Sequence, residues 1–161
     1  MKLGLILATA AGAVAAGTAG IAGAAASAPA PCAGSVVLTA PPSNLQISAA
    51  GPNTFVELDF VGLHDICFAD GSRVLGEISG HVVQRNSADG DLTIRFDEIL
   101  SYGGGSLGFR GEGGLSNGAW RGHVRSVGAG TGPLAGIHGQ GEFWPTGPTS
   151  FDDVISYVYG P

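Results

Sequence analysis

The residues able to do chemistry in this chain form a short inventory. There are four histidines (His64, His81, His123 and His138), thirteen carboxylates, two cysteines, and two glycine-rich matches to phosphate-binding or catalytic patterns. The most pointed of them is Glu98. In DLTIRFDEIL, residues 91–100, it shares parity with Leu92, Ile94, Phe96 and Leu100, so a continuous strand turns its carboxylate toward the apolar face. A bulge at Asp97-Glu98 would flip it outward instead. An inward carboxylate could serve as an acid, a base or a ligand anchor. Tyr102 falls on the same parity two steps beyond Leu100, where it would stand at the mouth of the same interior.

The glycine-rich matches carry less. Gly130-Thr131-Gly132-Pro133-Leu134-Ala135 fits G-x-G-x-x-[GA], but a dinucleotide site needs a helix opening from that loop with its N-terminus facing the pyrophosphate. The next residues, GIHGQGEFW, hold glycine at 136, 139 and 141, which no helix tolerates. The stretch reads as a turn leading into a coiled strand. Gly104-Gly105-Ser106-Leu107-Gly108 fits G-x-S-x-G, yet a nucleophile elbow needs a strand-turn-helix in a parallel sheet, and here another strand follows. None of the histidines has metal-ligand spacing; they read as exposed or hydrogen-bonded residues, or as two that meet across a barrel. Asp152-Asp153 and Asp89-Gly90-Asp91 lack a calcium-loop pattern and read as solvated turns. No metal and no cofactor are expected.

The elements that must position these residues begin after a leader. MKLGLILATAAGAVAAGTAGIAGAAASA, residues 1–28, has one positive charge at Lys2 and an Ala/Gly/Leu/Ile run ending in small residues, the pattern of a secretory signal peptide. Its many Gly and Ala residues make it weakly apolar for an uncleaved anchor, so no stable membrane insertion is expected after cleavage. The expected location is secreted, extracellular or in the cell envelope. In an oxidising compartment Cys32 and Cys67 are expected to form a disulfide, and closing that loop of about 36 residues would stabilise the fold by roughly 3–4 kcal/mol. Without Lys2 the chain has six arginines against thirteen carboxylates, a net charge of −7 that repels nucleic acid. The missing lysines also exclude Schiff-base chemistry and a GxxxxGK[ST] loop.

Residues 29–53 form an extended Pro/Ala-rich lead-in with one or two short strands, and 54–161 a single β domain. TFVELDFVGLH alternates Val56, Leu58 and Phe60 against Glu57 and Asp59, and DLTIRFDEIL repeats the pattern. Between them RVLGEISGHVVQRN places Val74, Ile78 and Val82 on one face with Gly76 and Gly80 among them. Asp-Gly turns fall in FADGSR and NSADGD, and further strands are predicted near 105–112, 118–127, 134–144 and 152–159. Short, evenly spaced strands fit a sandwich or a barrel. Glycines inside the strands allow the coiling that closes a small barrel, so the expected fold is all-β, an antiparallel eight-stranded up-and-down barrel.

Gly130-Thr131-Gly132-Pro133-Leu134, followed by Ala135-Gly136-Ile137-His138-Gly139-Gln140-Gly141, resembles the late-strand signature of the allene oxide cyclase-like barrel superfamily. That group includes plant allene oxide cyclases, dirigent proteins, barrel cyclases of polyketide pathways and bacterial members of unknown function. Ile137 departs from the alanine of the dirigent form and is closer to the bacterial form. The resemblance covers about residues 54–160 and carries over no catalytic residue, because the early strands do not match the cyclase motif. It implies a barrel with a mostly apolar cavity, whose inward candidates by parity are Phe60, Ile78, Ile94, Phe96, Phe109, Trp120 and Tyr102, with Glu98 among them. The alternative is a barrel filled by these side chains.

Three functions follow as expectations. The first is a secreted module that binds a small apolar ligand without catalysis. The second is a cyclase or dirigent-like enzyme that steers an apolar substrate by cavity shape. The third is a structural or interaction domain with a filled barrel. Glu98 inside an open cavity would favour the second over the first, and an exposed apolar patch on a filled barrel would favour the third. Homo-oligomerisation is left open.

Overall fold

The computed structural model of the chain describes residues 33–68 and 71–159. The leader at 1–28 and Cys32, one half of the expected disulfide, lie outside the described residues. These residues form β1 (Gly34–Leu38), β2 (Ser43–Ala50), β3 (Asn53–Cys67), β4 (Arg73–Asn86), β5 (Leu92–Tyr102), β6 (Gly105–Ser116), β7 (Ala119–Val127), β8 (Ile137–Gly147) and β9 (Ser150–Tyr159). One 3-10 turn, Gly132–Leu134, interrupts the series.

All pairings are antiparallel. Strands β3 to β9 follow one another as neighbours, and β1 closes the circle by pairing with β3 (Val36 opposite His64) and with β9 (Gly34 opposite Asp153). The result is an eight-stranded closed barrel with β2 as one extra strand on the first half of β3. The lead-in therefore contributes to the barrel: Gly34–Leu38 is a structural stave, and the barrel begins about twenty residues before the expected boundary at 54. Its alternation is too short to show in sequence, and what fixes it is the pair of partners on either side. Every residue of β2 is exposed, and its link to the barrel includes the Asn44 side-chain amide, which donates to Asp59 Oδ2 at 2.5 Å.

The period-two patterns set the facing. Even-numbered residues of β3, β4 and, as far as Leu100, β5 point inward, and the β3–β4, β4–β5 and β5–β6 registers run without a shift. Turn residues fit their positions. Asn117-Gly118 and Gly103-Gly104 each place two successive residues at positive φ, as a two-residue hairpin with strand-like twist requires.

The interior divides along the barrel axis. One half is packed by Ile66, Leu100, Leu107, Leu134 and Ile137, each at most 1% exposed. Leu134 reaches this end because the 128–136 segment folds over β6. There Thr131 N–H donates to Ser106 O (2.8 Å), and Ser106 N–H donates to Thr131 Oγ1 (2.9 Å). The other half is lined by apolar side chains but is hollow.

Candidate functional site

Three ionisable residues meet where the packed and hollow halves join. His64 on β3 has Nδ1 2.9 Å from Glu98 Oε1 on β5, and Nε2 2.7 Å from Asp153 Oδ2 on β9. All three are buried, at 2%, 5% and 4% exposure. An ionised carboxylate only accepts hydrogen bonds, so with one on each side both ring nitrogens donate, and His64 is an imidazolium. Burial by itself would lower the His64 pKa; the hydrogen bonds to Asp153 and Glu98, and their charges, outweigh it and raise the value from 6.5 to about 9. Two carboxylates on one imidazolium leave the cluster with a net charge of −1. Phe109 packs beside it, its ring centroid 5.6 Å from that of His64.

Inward glycines make the room. Gly34 lies opposite Asp153, and a Cβ there would strike the Asp153 carboxylate. Gly80 lies between Phe60 and Glu98 across the two ladders, and a Cβ there would strike the Phe60 ring. Gly111 seats the Phe96 ring in the same way.

Above the cluster is a cavity of about 290 Å³. Its walls are apolar and partly aromatic, including Leu58, Phe60, Ile94, Phe96, Trp120, Phe143 and Phe151. Phe143 is the hub of the aromatic wall, with edge-on contacts to Phe96 (5.3 Å), Trp120 (5.7 Å) and Phe151 (6.2 Å) between ring centroids. Trp120 Nε1–H donates to Phe143 O at 2.7 Å, which spends its one polar group on the wall itself. Glu98, His64 and Asp153 are the ionisable groups that line the cavity. Among the described residues, no group of three or more His, Cys, Asp or Glu is arranged to hold a metal ion.

The residues singled out by sequence fall in three places. Glu98 faces inward with no bulge and lines the cavity, together with Phe60, Ile94, Phe96 and Trp120. Ile78 and Phe109 point inward too, but they belong to the packed core and not to the cavity lining. Tyr102 is 42% exposed at the last pair of the β5–β6 hairpin, past the end of the interior, so its matching parity does not bring it to the mouth.

Two members of the cluster were not picked out by sequence. Asp152-Asp153 reads as a solvated turn, yet both lie within β9 and Asp153 is buried. The available signal was parity, since Asp153 alternates with Phe151 and Ile155, and His64 continues the series Val56, Leu58, Phe60. The other histidines do not meet across the barrel. His81 Nδ1 lies 2.8 Å from Asp59 Oδ1 on the outside, and His123 and His138 are exposed.

The glycine-rich loop has no phosphate cradle to offer. Four of its N–H groups are used within the protein, from Thr131 to Ser106 O, Leu134 to Thr131 O, Ala135 to Gly132 O and Gly136 to Ala129 O, and it leads into the 3-10 turn Gly132–Leu134 instead of an α-helix. Ser106 of the G-x-S-x-G match lies at the start of β6, with its hydroxyl 3.2 Å from Thr131 Oγ1.

No family model matches the chain, and no curated protein matches it. Among solved structures, a protein of unknown function of the DUF3224 family from Shewanella oneidensis MR-1 is similar, with a TM-score of 0.63 and 18% identity over 81% of this chain and 96% of that one. At that identity the likeness is one of fold.

Proposed function

We propose that this chain is an exported barrel that binds a small, largely apolar molecule in its hollow half, without chemistry of its own. The observation that carries the reading is the cavity: about 290 Å³, walled by apolar and aromatic side chains, with its ionisable groups confined to the base. Such a site suits a ligand with an apolar body and one polar end. The similarity of residues 130–141 to allene oxide cyclase-like barrels supports the same reading, because those barrels imply an apolar interior.

Native mass spectrometry of the mature protein, followed by titration with the neutral fluorophore 1-aminoanthracene, tests it. One compound or one probe per chain is expected, and Leu58→Trp, which fills the cavity from its wall, should abolish probe binding. An empty protein that takes up no probe would overturn the reading.

Glu98 standing in the open cavity is the placement expected to favour a second reading, shape-steered cyclisation; simple binding is put first because Glu98 and Asp153 are both tied to His64, which suits fixed acceptors better than a carboxyl that trades protons with a substrate. Glu98 Oε1 is occupied by His64, so proton transfer would fall to the other carboxylate oxygen. Exchange of solvent deuterium into a captured ligand, lost in Glu98→Gln, would carry that reading over simple binding.

A further inference from the structure

The cluster at the cavity base is one positive charge short. Among the described residues the arginines are Arg73, Arg85, Arg95, Arg110, Arg121 and Arg125, and all six are exposed. Their ion pairs are with outer carboxylates: Arg73 with Asp65, Arg95 with Glu112, and Arg110 with Asp97. None reaches the interior, where His64 is the sole cation set against Glu98 and Asp153. An uncompensated charge in an apolar setting is costly and attracts a counter-charge.

The geometry also leaves acceptors free to meet one. Glu98 uses Oε1 and Asp153 uses Oδ2 on His64, and the second oxygen of each carboxylate has no hydrogen bond among the described residues. Both residues line the cavity, Glu98 from β5 and Asp153, whose Oδ1 lies beside Gly34, from β9, so two carboxylates stand at its base. The aromatic rings of the wall suit a cation as well as an apolar body, since their faces carry negative potential.

Resting on the reading of an open binding cavity, we propose that its ligand is an amine: an apolar body bearing an ammonium head, which donates to the second oxygens of Glu98 and Asp153 and neutralises the cluster. A carboxylate of the same shape would meet like charge and be excluded. A neutral alcohol would be accepted with less gain, because it can donate to the same carboxylates but brings no charge to offset theirs.

The test uses the mature protein at pH 7 with bound 1-aminoanthracene, displaced by three compounds of one skeleton: 2-phenylethylammonium, 2-phenylethanol and 3-phenylpropanoate. The ammonium should displace the probe about tenfold more tightly than the alcohol, and the carboxylate should be weakest. Glu98→Gln should bring ammonium and alcohol to within about twofold of each other, and Asp153→Asn supplies the same comparison should the first variant fail to fold. Glu142→Gln, on the exposed outer face of β8, should leave the ratio as it is. If the wild-type protein captures no probe, the open-cavity reading fails and the amine proposal falls with it. If the probe binds but alcohol and ammonium compete equally, or the preference survives both substitutions, the amine proposal is overturned while the cavity stands.

Discussion

Raising the pH should weaken this fold across a window set by His64. In the unfolded chain an imidazole titrates at its ordinary value of 6.5, and in the barrel the two carboxylates hold it protonated up to about 9. Between those values the folded state binds one proton more than the unfolded state, so stability falls as pH rises. The contribution is fully present below 6.5 and gone above about 9. At 1.36 kcal/mol per pH unit, the window is worth on the order of 3 kcal/mol, shared by the whole cluster. Equilibrium urea unfolding at half-unit steps from pH 6 to 9.5 would measure it. With a urea slope of about 1–3 kcal/mol/M, the midpoint should fall by roughly 1–3 M across the window. Asp153→Asn removes one of the two charges that raise the His64 value, so its decline should be smaller and end at a lower pH. A wild-type midpoint that stays flat from pH 6.5 to 9 would refute the imidazolium assignment, and with it the charge count on which the ligand class rests.

Two further expectations concern parts of the fold away from the cavity. Leu134→Ala should cost about 2–5 kcal/mol in urea unfolding, because it empties a fully packed site; the folded fraction should bind 1-aminoanthracene as the wild type does, since Leu134 is outside the cavity lining. A shared loss of stability and probe affinity would contradict the division of the interior into two halves. The Cys32–Cys67 disulfide remains a proposal, supported by the β1–β3 register: Ser35 opposite Asp65 extrapolates to residue 33 opposite Cys67, next to Cys32. Alkylation of the protein purified without reductant from an oxidising expression compartment should add no label by intact mass, and two labels would sink it.

Much of the barrel is legible because alternation is a local property. Val56, Leu58 and Phe60, or Leu92, Ile94 and Phe96, declare their face within one strand, and the hairpin turns follow from Asn-Gly, Asp-Gly and Gly-Gly pairs that accept positive φ. Height along the barrel axis is not local. It depends on how successive registers accumulate around the sheet and on where β1 closes it. That is why parity turns Ile78, Phe109 and Glu98 inward without separating packed wall from cavity base, and why Tyr102 shares the parity of Glu98 on the same strand yet stands beyond the interior. The cluster was hidden for the same reason. Its partners lie 34 and 89 residues from His64, and each alone resembles an ordinary polar residue at the end of an apolar series. Asp153 was further masked by Asp152, because two adjacent carboxylates suggest a turn when only one of them can face the core.

The position of the cluster argues for a role beyond holding the barrel together. His64, Glu98 and Asp153 do tie β3, β5 and β9 across the interior, and β9 meets the closing strand β1 through only four residue pairs. Yet buried ion pairs are poor devices for stability, since well-packed apolar residues in their place are often neutral or stabilising by about 1–4 kcal/mol. This chain has apolar packing to hand: Leu100, two residues after Glu98 on the same face, is fully buried, and the same arrangement could have continued past it. Instead, the packing stops at the level of the three charges, and beyond them the barrel is hollow. The inward glycines serve the cluster's own side chains, Gly34 admitting the Asp153 carboxylate and Gly80 the Phe60 ring next to Glu98. A purely structural tie would be better served by filling the hollow half above it; a receptor for a small cation needs that half open.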